Sequence, residues 1–225
     1  MKKTGKKFNY LAIFVLFIVA ILAVGITYSY FTFKQKVQSE ITLGSIKVNY
    51  LLTDSTSTTK TIDSTTEMQL YTLDPISRGS EFSLYESSTD TDPLSLIGFQ
   101  KESGTTDVYI RFWIDAYLIN DGVEDKSVNY GEYFDILFGD SVIDESSSGV
   151  VKSVSESGLV TYFIENKVTG DVGCFTKMKL KSDVPFAMLN SSYRLYLSFD
   201  AVQASNQAYL SVFEGSSRGY CSSWS

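Results

Sequence analysis

The side chains that most often carry protein chemistry are thinly spread in this chain. Histidine is absent from its 225 residues, which removes the usual general base of hydrolytic triads and the commonest zinc ligand. No Gly-rich phosphate loop opens a helical pattern and no CxxC pair occurs, so nucleotide and dithiol chemistry have no foothold. What remains is carboxylate. Asp90 and Asp92, with Asp74 and Glu86 upstream, offer oxygen ligands to a calcium ion, a weak metal candidate without the spacing and glycine of an EF-hand. Asp140 with Asp144 and Glu145 has the pairing a glycosidase would use, yet the three sit in a Ser-rich stretch that reads as a solvated loop. No catalytic residue and no cofactor is expected. Cys174 and Cys221 lie 47 positions apart; in an oxidising compartment they could form a disulfide, and otherwise they are two separate thiols.

The elements that must position these groups begin with an export signal. Lys2, Lys3, Lys6 and Lys7 precede an uncharged apolar run of 16 residues, 11–26, shorter than the roughly 20 a spanning helix needs. It ends in Thr27-Tyr28-Ser29, with small residues at −3 and −1 of a cut before Tyr30. Residues 1–29 therefore read as a signal peptide cleaved by a signal peptidase. The alternative is an uncleaved membrane anchor, because a tilted helix or thinned bilayer could hold the longer stretch. Membrane contact is expected only through residues 8–33, before or without cleavage. Beyond the signal, 15 basic residues face 26 acidic ones, a net of −11, which repels phosphate backbones and disfavours nucleic acid as a partner.

Residues 30–225 are long enough for a single domain with its own core. Their apolar residues fall in short runs separated by Gly, Ser, Asp and Asn, the texture of an all-β fold. Strands are expected at 41–52, 68–73, 81–85, 107–119, 133–138, 150–155, 160–164, 177–180 and 193–203, enough for an antiparallel β-sandwich. Alternation is clearest at 108–114 and 193–199, where Leu195, Leu197 and Phe199 share one face. The polar stretches 53–66, 87–92 and 141–149 read as loops. The tail, 209–225, has few strand signals and is expected to be loosely structured unless Cys221 ties it down.

At the signal junction the chain reads Tyr30-Phe31-Thr32, then Ile41-Thr42-Leu43-Gly44-Ser45-Ile46; further on come Pro75-Ile76-Ser77-Arg78-Gly79, Asp107-Val108-Tyr109-Ile110-Arg111, and a stretch from Phe199 to Asn206 containing Ala201-Val202-Gln203-Ala204. In order and spacing these resemble landmarks of the TasA/camelysin family of exported Gram-positive proteins. Phe33, where that family has Asp, and the tail from Tyr209 depart from it. The resemblance implies a jelly-roll-like sandwich, a dedicated signal peptidase, and, for the matrix members, polymerisation into extracellular or biofilm-matrix fibres in which the N-terminal strand is donated to a neighbour's sheet.

On that reading the partners are other copies of the chain or related matrix subunits, and the location is extracellular or at the cell surface. The donor strand would span 30–48, with Tyr30, Phe31, Phe33, Val37, Ile41, Leu43, Ile46 and Val48 filling the acceptor groove, since strand addition gains main-chain hydrogen bonds and blunts a free edge. Two other readings stay open. An uncleaved anchor would display the sandwich as a cell-surface binding module, or 41–52 would simply be an edge strand of its own domain. Camelysin relatives are surface metallopeptidases, but a His-free chain would need a metal site built from carboxylates alone.

Overall fold

Alternation over residues 108–114 and 193–199 calls for two long strands, each with one wholly apolar face, and these form the backbone of the molecule. The structure is a computed structural model and describes residues 45–120, 122–205 and 207–224, which belong to one compact unit, Gly44–Ser225. In chain order the strands are β1 (Val48–Asp54), β2 (Thr59–Ile62), β3 (Met68–Tyr71), β4 (Glu81–Phe82), β5 (Leu94–Lys101), β6 (Val108–Asn120), β7 (Val123–Asp125), β8 (Phe134–Phe138), β9 (Ser141–Val142), β10 (Val150–Val154), β11 (Val160–Ile164), β12 (Asp171–Phe175), β13 (Lys177–Leu180) and β14 (Ser192–Gln203), followed by helix α1 (Ala208–Phe213). Every ladder among the described residues is antiparallel.

β6 and β14 pair from Ser192 opposite Ile119 to Gln203 opposite Val108, at the centre of a six-stranded sheet ordered β10-β11-β6-β14-β3, with β7 on β6. Because side chains alternate, this register puts Ile110, Phe112, Ile114 and Ala116 on the inner face with Leu195 and Leu197. All six are buried. Facing them are two four-stranded sheets, β12-β5-β1-β2 and β4-β13-β8-β9. They are joined end to end, since only Thr176 separates β12 from β13, and its N–H donates to the Leu137 carbonyl as the chain changes sheets (2.7 Å).

The core between the layers is largely aromatic. Phe99 lies 5.4 Å from Phe112 and 4.9 Å from Phe199, and Tyr50 meets Phe199 edge-on at 5.1 Å. Such pairs add about 0.5–1.5 kcal/mol each beyond their buried area. The Tyr50 hydroxyl donates to the Leu197 carbonyl across the layers, satisfying a polar atom that burial would otherwise leave stranded. Packing between β5 and β12 is tight enough that a Cβ on Gly98 would collide with the Val172 carbonyl oxygen, so this contact requires glycine.

Three sequence expectations are corrected. The stretches 53–66 and 141–149, expected as loops, contain the short strands β2 and β9. Residues 41–52 were expected as one strand, possible edge of the domain; the strand begins at Val48 and is interior, with β5 along one side and β2 along the other from Tyr50. The tail is folded, not loose. Tyr209, Phe213, Cys221 and Trp224 form a second apolar cluster with Tyr109, Phe163 and Val202 on the outer face of the six-stranded sheet. Trp224 stacks on Tyr109 (4.8 Å between centroids), and its indole N–H donates to the Ile164 carbonyl (2.8 Å). Arg111 pins this strap: its guanidinium donates to Asp200 (2.8 Å), Ser216 (2.9 Å) and the Gly219 carbonyl (2.5 Å), and lies 3.9 Å over the Phe213 ring. Among the described residues no helix is long and apolar enough to cross a membrane.

Candidate functional site

Three strand ends meet at one place. β9, β10 and β12 are each terminal in their sheets, with a ladder partner on one side only, and they border a single cleft of about 580 Å³. An unpaired strand edge presents a row of N–H and C=O groups ready to bond another strand. The floor is apolar, made by the buried side chains of Ile143, Val150, Ile164 and Cys174, while Phe138 and Val142 stand 53% and 39% exposed at the rim. Asn166, Lys167 and Asp171 supply polar groups along the far wall.

Local sequence explains each border. The turn between β8 and β9 is made by Gly139, at φ +62, a conformation that glycine adopts without strain. Asp144 organises the next loop. Its carboxylate accepts from the Ser146 N–H (2.8 Å), the Ser146 hydroxyl (2.8 Å) and the Ser147 hydroxyl (3.2 Å), and its own carbonyl accepts from the Lys152 N–H in β10 (3.1 Å). These bonds, led by that from the Ser146 hydroxyl, hold the Asp144 carboxyl below the usual carboxylate range. In β12 the register against β5 shifts between Gly173 and Phe175, a bulge of the kind that bends an edge strand. Cys174 sits at that shift, its thiol pushed far up by burial, which makes it an inert part of the floor.

The residues singled out from sequence are distributed as follows. Thr27, Ser29, Tyr30, Phe31, Phe33, Val37, Ile41 and Leu43 lie outside the described residues. Ile46 is 39% exposed just before β1. Val48, expected in the donor strand, is buried in β1 opposite Lys101 of β5; a residue whose strand is laddered inside its own domain has no free edge to donate. Cys174 and Cys221 are free thiols, one in the main core and the other in the strap's own apolar cluster. Asp90 and Asp92 lie in the loop before β5, and among the described residues no group of three or more His, Cys, Asp or Glu side chains is placed to hold a metal. Asp140 is exposed and 3.5 Å from Lys177, while Asp144 is engaged within its own loop.

The cleft itself escaped sequence reading. β12 lies in the Gly-rich stretch Thr169-Gly170-Asp171-Val172-Gly173, where the bulge breaks alternation; the one available signal is the pair of apolar residues at 172 and 175. No family model, no curated protein and no solved structure matches the chain.

Proposed function

We propose that this chain is an exported structural subunit of extracellular matrix or cell-surface fibres, assembled by adding the N-terminal segment of one copy to the cleft of the next. The observation that carries the proposal is the convergence of three sheet-terminal strands on an apolar-floored groove, of which β10 has its outer edge held at one point by the Lys152 N–H to Asp144 carbonyl bond. An exposed, unprotected edge invites pairing, and β-augmentation supplies main-chain bonds for affinity and pockets for alternate side chains. The donor is the part of the expected donor strand that precedes β1, with Tyr30, Phe31, Phe33, Val37, Ile41 and Leu43 as the side chains that would fill the groove; Val48 is excluded because it is laddered in β1. Support also comes from the signal-like residues 1–29, whose removal would free that segment, and from the resemblance to the TasA/camelysin family, whose expected all-β character the antiparallel sandwich shares. The proposal gives the chain no catalytic role.

Electron microscopy of residues 30–225 beside a chain starting at Ser45 tests it. Filaments from the longer chain alone are expected. Two monodisperse samples would remove fibre assembly and leave a displayed binding module as the better reading.

A further inference from the structure

The chain enters the sandwich beside the wall of its own cleft. Val48, the first residue of β1, lies opposite Lys101 at the end of β5, and the Lys101 N–H donates to the Gly170 carbonyl on the other side (3.1 Å). These three residues form a row across the sheet, and Gly170 and Asp171 line the cleft. The residues just before β1 are tied to the same corner. The Lys47 carbonyl accepts from the Glu102 N–H (3.0 Å) and the Ser45 carbonyl from the Thr106 N–H (3.4 Å). Two residues further on, the Val108 N–H donates to the carbonyl of Val168 in the cleft wall (3.2 Å). Neighbouring strands lie about 4.8 Å apart, so β1 starts roughly 10 Å from β12.

β12 is terminal in its sheet, and its outer side is built to take a strand. The Gly170 carbonyl points to β5, and successive residues of a ladder alternate in direction, so Asp171 and Gly173 direct their N–H and C=O groups outward. β10 offers less, because its Lys152 N–H is already given to the Asp144 carbonyl. The 15 residues 30–44 contain no proline, which could not donate to a ladder. Phe31, Phe33, Val37, Ile41 and Leu43 fall on one face of a strand, and from Thr32 to Thr42 the other face is wholly polar. That pattern suits a strand with an apolar floor on one side and water on the other.

We infer that the exported monomer closes its own cleft, laying residues 30–38 antiparallel along β12 before the chain crosses to β1. This rests on the reading of the cleft as a strand acceptor and adds what occupies it in a lone copy. β1 and β12 run in the same direction, each being antiparallel to β5, so a segment that must end at the start of β1 meets β12 antiparallel. The added strand lies three spacings from β1, roughly 14 Å, which about five extended residues cross; nine, 39–47, are present. A short tether holds such a strand at an effective concentration in the millimolar range. Free copies at micromolar concentration compete poorly with it. Filaments therefore start from a closed monomer, and growth begins with exchange of this strand for a neighbour's.

Hydrogen–deuterium exchange of residues 169–175, read by mass spectrometry at low micromolar concentration, tests the inference on residues 30–225 beside the chain starting at Ser45. Sedimentation velocity confirms that both are monomeric. Exchange at least tenfold slower is expected in the longer chain, and unchanged on dilution, because a tether is indifferent to dilution. Phe31→Ser with Phe33→Ser should return the rate toward that of the shorter chain. A free peptide of residues 30–43, added to the shorter chain, separates the two readings. Protection by the peptide with none in the dilute longer chain overturns closure within one copy and leaves strand addition between copies standing. Protection in neither overturns both. Slowing that fades on dilution belongs to exchange between copies and also overturns the inference, as does slowing that ignores the Phe31 and Phe33 changes.

Discussion

Adjacent residues of β11 meet opposite fates. Phe163 points to the outer face of the six-stranded sheet and is sealed beneath Trp224 (5.4 Å between rings), while Ile164 points inward and floors the cleft. Both faces of this strand are apolar, yet the chain closes one with its own tail and leaves the other bordered by three sheet-terminal strands. The sealed side is held by ring stacking, a guanidinium with four partners and an indole hydrogen bond. The open side has strand edges and an exposed phenylalanine at its rim. Surface that a chain can cover for itself is part of its stability; apolar surface that it holds open beside free edges is where a second chain adds most.

The comparison breaks most sharply at Trp224. Truncating a buried tryptophan costs about 3–5 kcal/mol, and Trp224→Ala also strands the Ile164 carbonyl and uncovers Tyr109 and Phe163. In urea melts the midpoint should fall with little change in slope. The two thiols report the two regions separately: Cys221 should become reactive toward a thiol reagent under native conditions, and Cys174 on the cleft floor should stay slow. Equal acceleration of both would mean that strap and cleft wall open as one unit.

How far the sequence foretold this contrast depends on whether a strand has one dry face or two. β6 and β14 were legible because Ile110, Phe112 and Ile114, like Leu195 and Leu197, alternate against a partly polar face. β5 was not foreseen, since only Ile97 and Phe99 keep a period of two, while Leu96 falls on the other face and a register shift beside Leu94 puts that residue out of phase with them. The strap was hidden by its Ser and Gly content, although Tyr109, Arg111 and Val202 on the supposedly wet face already called for a cover. The cleft could not be read because its borders come from residues far apart in the chain, brought together by the switch at Thr176 and the bulge at Cys174.

At the rim, Phe138→Ser with Val142→Ser should do the reverse of Trp224→Ala. Both side chains are exposed at the surface, and such surface changes stay within about 0.5 kcal/mol each. Thermal unfolding should barely move, while filament formation by residues 30–225, read by light scattering, should slow or stop. A loss of stability without a loss of assembly would show the rim to be part of the core.

The smallest effect separates the two regions by pH. Asp144 shapes the cleft wall through three accepted hydrogen bonds, and its carboxyl is held below the usual range, so its protonated form is disfavoured in the folded loop. For such a group the stabilising contribution is complete above the unfolded-state value of about 3.9 and is lost as pH falls through the lower folded value. Acidification below about pH 4 should therefore loosen residues 144–149 while the strap stays closed. The strap has no comparable dependence in its stacking of Trp224 on Tyr109 or in the indole bond to Ile164. Amide exchange followed by NMR should show Ser146 losing protection while the Trp224 indole N–H keeps its own, and Asp144→Asn should bring that loosened loop to neutral pH, because an amide oxygen accepts the same bonds without the charge that strengthens them. Simultaneous loss at both places would mean that the loop and the strap open as one unit, and that the contrast between the two faces does not extend to their local stability.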